Sequence, residues 1–163
     1  MSQTRPNRRW ALAGIAGAVL VLQACAHELA PVGPSLSTKE DLYANRELWE
    51  SRRVGDYRYT IQRSCRCEPE VTNPALVEVR DGKTASVTAL DPMRPIRTQV
   101  VDSLDNFWEL FDFVQAAMEQ GPDKLVAEYD PEWGYPVYLF VDPRRDVEGD
   151  EHGFQVERFE PLR

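Results

Sequence analysis

Apolar and polar positions alternate along this chain with two periods, and the switches between them mark the predicted elements. Ser37-Thr38-Lys39-Glu40 has the form of a capping box, Ser37 as N-cap and Glu40 at N3, so a helix is expected to start there. Leu42, Tyr43, Leu48 and Trp49 give it a modest apolar face, and Gly55 is its expected stop. Tyr57, Tyr59 and Ile61 then alternate with Asp56, Arg58, Thr60 and Gln62, the period-2 signature of a half-buried strand. Continuing that alternation puts Cys65 and Cys67 on the aromatic face. Leu76 to Arg80 and Lys83 to Thr88 flank Asp81-Gly82, a two-residue hairpin signal. Asp91-Pro92 through Pro95 predicts a proline-broken connection.

The clearest element is a helix from about Ser103 to Gln120. Leu104, Phe107, Phe111, Val114 and Met118 recur at steps of three and four, an apolar stripe at helical spacing that reads as core packing. Asp102 or Ser103 is its expected cap, and Gly121-Pro122 its stop. Leu125 to Tyr129 reads as a strand, Val137 to Val141 as a central strand apolar on both faces, and Phe154 to Phe159 as a last strand. Helix, three strands, helix, three strands predicts an α+β fold: a single antiparallel sheet of about six strands with the long amphipathic helix on one face.

The first 25 residues have a different character. Arg5, Arg8 and Arg9 precede an unbroken run of apolar and small residues, Trp10 to Leu22, which is too short to span a bilayer and has the shape of a secretory signal. Leu22-Gln23-Ala24-Cys25 closes it as a lipobox, so Cys25 is the expected acylated N-terminus. Residues 1–24 are then a lipoprotein signal peptide, 25–36 a lipidated tether broken by Pro31, Gly33 and Pro34, and 37–163 one α+β domain. Removing 24 of the 163 residues leaves 139, with 16 basic and 27 acidic side chains and a formal charge of −11. That balance argues against nucleic acid and against a basic patch for anionic lipid, leaving the acyl chains as the membrane attachment. Ala26 at +2, where a retention signal would carry Asp, points to the outer membrane in a Gram-negative cell, on its periplasmic face.

Three groups of residues bear a resemblance. They are Tyr57-Arg58-Tyr59 running into Cys65-Arg66-Cys67, then Asp102-Ser103-Leu104 leading to Leu110-Phe111, and Tyr129-Asp130 followed by Gly134-Tyr135-Pro136 with Asp142 and the acids from Asp146 to Asp150. In these the chain, from about Trp49 to Phe159, is similar to a bacterial lipoprotein family catalogued only as domain of unknown function 6174. The resemblance implies location and fold, and no activity.

Candidate chemistry is sparse. With Cys25 acylated, only Cys65 and Cys67 remain, in an oxidising compartment after export. At i and i+2 of a regular strand their Cα atoms are about 6.6 Å apart, near the long limit for a disulfide, and a strand end would shorten this. A disulfide is the expectation; a thiolate pair for Cu(I) or Zn and redox exchange are the alternatives, with His27 in the tether and His152 in a distant loop. Asp130, Trp133 and Tyr135 are the candidate partner contact, with the two rings as exposed anchors. The competing reading is a hairpin connection in which Asp130 caps the turn, Gly134 supplies positive φ, and Tyr135 and Pro136 pack on the sheet edge. Asp142, Asp146, Glu148, Asp150 and Glu151 offer hard oxygen ligands but lack the Gly and terminal Glu of a calcium loop, and read as a solvated acidic loop. Phosphate loops, Gly-x-Ser-x-Gly and paired His ligands do not occur. No catalytic residue, metal ligand or cofactor is assigned. The expectation is a non-enzymatic envelope lipoprotein that meets an envelope protein or wall component; a metal-handling (Cu/Zn or Ca) lipoprotein is the alternative.

Overall fold

The computed structural model describes residues 37–96 and 106–162. Its order is α1 (Lys39–Arg52), β1 (Tyr57–Cys65), α2 (Pro69–Thr72), β2 (Ala75–Arg80), β3 (Lys83–Ala89), α3 (Phe107–Gln120), β4 (Lys124–Tyr129), β5 (Pro136–Asp142) and β6 (His152–Pro161). The six strands make one sheet in the order β3-β2-β1-β6-β5-β4, with every adjacent pair antiparallel. This is the α+β architecture that the two periods predict. The short α2 is an addition, begun by a proline at its first turn.

Two sequence expectations shift at α1. The capping box is Thr38 with Asp41, one residue later than Ser37 with Glu40: the Thr38 hydroxyl accepts the Asp41 N–H at 3.1 Å, and Asp41 accepts the Thr38 N–H at 3.0 Å. Ser37 is engaged elsewhere. Its hydroxyl donates to the Ala127 carbonyl and accepts the Ala127 N–H, both at 2.7 Å, which tethers the start of the domain to edge strand β4. The helix ends before Gly55, with Arg53 in the left-handed region at φ 52° as C-cap. Leu42 and Trp49 are buried, whereas Tyr43 is 53% exposed.

The long helix is also shorter than its stripe suggests. It begins at Phe107, where Asn106 accepts the Glu109 N–H, so Asn106 is the cap; Asp102, Ser103 and Leu104 lie outside the described residues. Phe107, Leu110, Phe111, Val114 and Ala117 are buried against the sheet, and Gly121 at φ 64° ends the helix. The buried Phe107 N–H donates to the Tyr57 hydroxyl at 3.0 Å, which fixes the helix start over β1. Around that point Trp49, Tyr57, Tyr59, Tyr135 and Phe159 surround the Phe107 ring at 4.4–5.7 Å. The helices meet through Arg46, 3.0 Å from Asp112 and 5.5 Å from the Trp108 ring.

Strand β5 is second from the edge, and Val137, Tyr138 and Phe140 are only half-buried. Asp142 closes β5, while His152 and Gly153 open β6, so the acidic loop is shorter than expected. Gly153 is required where it stands: a Cβ there would lie 1.9 Å from the Leu139 carbonyl oxygen of β5.

Candidate functional site

Directly paired residues of an antiparallel ladder share a face of the sheet. Tyr57, Tyr59, Ile61, Phe154, Val156, Leu139 and Val141 belong to the buried core on the side of α1 and α3. The other side follows from the register. Gln62 pairs with Gln155 and Gln155 with Tyr138, while Ser64 pairs with Gly153 and Gly153 with Phe140. These two rows cross β1, β6 and β5 on the side away from α1 and α3, and the short α2 meets them at Gln62. Gly153 leaves a gap between Ser64 and Phe140. Gln62, Ser64, Arg66, Tyr138, Phe140 and Gln155 line a groove of about 500 Å3 at this place. That volume is within the range of small-molecule sites, and its lining combines aromatic rings and amides with two guanidiniums, Arg63 and Arg66, and one carboxylate, Glu151.

The groove has defined walls. Outside the groove, Lys124 on β4 places its ammonium 5.2 Å from the Phe140 ring centroid, a cation over an aromatic face. Gln62 and Gln155 each spend one N–H on a long bond, to the Thr72 carbonyl at 3.4 Å and to Glu157 at 3.3 Å, leaving their carbonyl oxygens for a ligand. Arg63, beside them in β1, is half-buried, and burial pushes its guanidinium down from the usual arginine value. At one end stands the loop after β1, where Cys65 and Cys67 are joined by a disulfide with Cα atoms 5.2 Å apart. The strand end supplies the shortening that a regular strand lacks. Cys65 is half-buried and Cys67 exposed, so the alternation on the aromatic face stops at Cys65.

His152 is not remote: it pairs with Cys65 across β1 and β6, and its ring lies 6.1 Å from Phe113. Two acids of the neighbouring loop have partners within it, while one oxygen each of Asp142 and Asp150 is buried without a hydrogen bond among the described residues. Asp150 pairs with Arg144 at 3.1 Å, and Glu151 accepts the Gly149 N–H at 2.8 Å. Among the described residues no group of three or more His, Cys, Asp or Glu is placed to hold a metal ion.

The segment from Asp130 to Pro136 lies away from the groove. Asp130 accepts the N–H groups of Glu132 at 2.9 Å and Trp133 at 2.8 Å, and its carbonyl accepts Gly134 N–H at 2.8 Å. Gly134, at φ 86°, presses on α1: a Cβ would fall 2.5 Å from the Asn45 carbonyl oxygen and 3.0 Å from the Trp49 nitrogen. Tyr135 is only 7% exposed and stacks on Phe107 at 4.4 Å, so the expectation of two exposed aromatic anchors is corrected. Burial, reinforced by the nearby Asp130 carboxylate, pushes the Tyr135 phenol well above the ordinary tyrosine value. Trp133 is half-buried against Phe159 at 5.2 Å, with Arg52 above it at 5.8 Å and that guanidinium also donating to the Glu132 carbonyl. The hydrophobic effect draws these rings inward because α1 offers them a surface. Cys25 lies outside the described residues.

A family model matches residues 41–161, from the first turn of α1 to the end of β6. The chain belongs to the family of unknown function DUF6174. The DUF6174 match takes in the disulfide, the groove and the Asp130 turn alike. No curated protein and no solved structure matches the chain. Sequence reasoning missed the groove because Gln62, Ser64 and Gln155 look like solvent-facing strand positions, while Tyr138 and Phe140 look like core. The available signal was Tyr138 and Phe140 themselves: aromatic residues on both faces of a strand in a sheet whose two helices can cover only one.

Proposed function

We propose that this chain is a non-enzymatic, lipid-anchored module of the bacterial cell envelope that binds an envelope protein or wall component through the uncovered sheet face. The observation that carries the binding half is the groove of about 500 Å3 between Gln62, Ser64, Arg66, Tyr138, Phe140 and Gln155. A face bearing aromatic rings and amides with uncommitted carbonyl oxygens, on a sheet held rigid by helices on its other side, is pre-organised for contact. The anchoring half is supported by the lipobox at Leu22 to Cys25, and in a Gram-negative cell Ala26 favours the outer membrane. The tether of residues 25–36 then limits the reach to about 40 Å at roughly 3.3 Å per residue.

Two variants test this. Cys25→Ser should leave unprocessed precursor or release the domain from membranes, and unchanged membrane fractionation and processing would overturn the anchoring. In cells carrying the lipidated chain, Tyr138→Ala with Gln155→Ala should abolish the envelope component recovered by cross-linking. Recovery unchanged beside the wild type would overturn the assignment of this face.

A further inference from the structure

Building on the groove as the binding site, we propose that it takes a short carboxylate-bearing peptide and that Arg66 recognises the carboxylate. Acidic residues outnumber basic ones by 27 to 19 in this chain, so exposed arginines have many potential partners. Arg46, Arg58, Arg80, Arg94 and Arg144 take one, whereas Arg52, Arg53, Arg145 and Arg158, which lie outside the groove, take none among the described residues. Arg66 forms no ion pair with any described carboxylate, although it stands beside the acidic loop. The reason is visible in that loop: Arg144 holds Asp150, and the Gly149 N–H holds Glu151. These two carboxylates thus take partners other than Arg66, and Asp150 Oδ1 is buried without a hydrogen bond among the described residues.

Two features hold Arg66 in place. Its backbone sits in the three-residue loop closed by the Cys65–Cys67 disulfide. Its side chain lies against Gly149, where a Cβ would fall 2.7 Å from both Cδ and a terminal guanidinium nitrogen of Arg66. Gly149 thus leaves the space that the guanidinium occupies at the groove wall. A cation restrained on both sides loses less freedom on binding, and a guanidinium fork matches a carboxylate in two parallel hydrogen bonds. Along the same groove, the carbonyl and N–H groups of Gln62 and Gln155 suit the amides of a peptide, and Tyr138 and Phe140 give apolar contact. The volume holds a few residues and not a folded partner.

The test is an NMR titration of the full chain in detergent micelles with acetyl-Glu-Ala-Glu-Ala-amide and with its Gln-for-Glu counterpart. The Glu peptide should shift the amide signals of Gln62, Ser64, Arg66, Gly153 and Gln155, and the Gln peptide should bind about tenfold more weakly. Arg66→Gln should cost about the same tenfold, Arg66→Lys less, and the exposed Arg145→Gln nothing. Equal affinity for the two peptides, unchanged binding by Arg66→Gln, or shifts that map away from the groove would overturn the proposal. A negative titration beside loss of envelope cross-linking in the Tyr138→Ala, Gln155→Ala chain removes this ligand class and leaves the proposed function standing. Cross-linking that survives those substitutions removes the site itself.

Discussion

The two faces of the sheet are built by the same strands and have opposite characters. On the side of α1 and α3, alternate residues of β1, β2, β5 and β6 close around Phe107 and Trp49, and the rings meet edge-to-face or stacked. On the other side, the intervening residues of the same strands form rows of amides, hydroxyls and two half-buried rings around Gly153. The alternation that buries Tyr59 and Ile61 is what presents Thr60 and Gln62 to the far side. Stability is thus concentrated on the covered face, which leaves the uncovered face free to carry side chains chosen for contact. Binding proteins commonly divide the work this way, since hot-spot groups are more effective on rigid elements.

The largest effect expected is on the covered face. Phe107→Ala should cost about 3–5 kcal/mol in urea unfolding, as truncation of a fully buried aromatic does. Tyr138→Ala and Gln155→Ala should each cost about 1 kcal/mol or less. Equal costs on both faces would break the distinction. Next comes the Asp130 turn, which belongs with the covered face. Gly134→Ala combines a positive φ with a clash against α1 and should cost about 2 kcal/mol or more. Trp133→Ala should lower the thermal midpoint and leave peptide binding at the groove unchanged; a loss of binding with the midpoint intact would move the contact to this turn.

Smaller changes sharpen the comparison. Replacing both Cys65 and Cys67 by Ser should cost about 2 kcal/mol or less, because so short a closed loop removes little chain entropy. Thr38→Ala should cost about 1 kcal/mol through the lost cap of α1. The smallest is a pH effect at that cap. Hydrogen bonds from the Thr38 N–H, and then its hydroxyl, hold Asp41 below the ordinary aspartate value. A depressed carboxyl stabilises the fold above its unfolded-state value, and that contribution is lost as pH falls through the folded value. The difference in thermal midpoint between the wild type and Asp41→Asn should therefore be present at neutral pH and close below about pH 4.

Most of the covered face was legible in the sequence, because burial imposes periods. Tyr57-x-Tyr59-x-Ile61, Phe107 to Met118 and the Asp81-Gly82 turn each carry a local signal, and both turn residues adopt positive φ as a type I′ hairpin needs. Cap positions moved by a residue or more because Ser37, Thr38, Asp102, Ser103 and Asn106 are equally competent chemically; tertiary bonds choose among them, as Ser37 to Ala127 shows. The pairing of β1 with β6 joins residues about a hundred positions apart, and nothing local encodes it. The groove depends on that pairing, so Gln62, Gln155 and Tyr138 could not be assembled from the chain alone. The same pairing brings His152 opposite Cys65, although the two are remote in sequence.

The central claim is that the uncovered face does the binding. A photoreactive amino acid placed at Gln155, on that face, and in a second strain at half-buried Gln115, in α3 on the covered side, tests it within cells that carry the lipidated chain. The account predicts a discrete envelope cross-link from position 155, lost on adding Arg66→Gln, and none from position 115. A cross-link from 115 with none from 155 would contradict it.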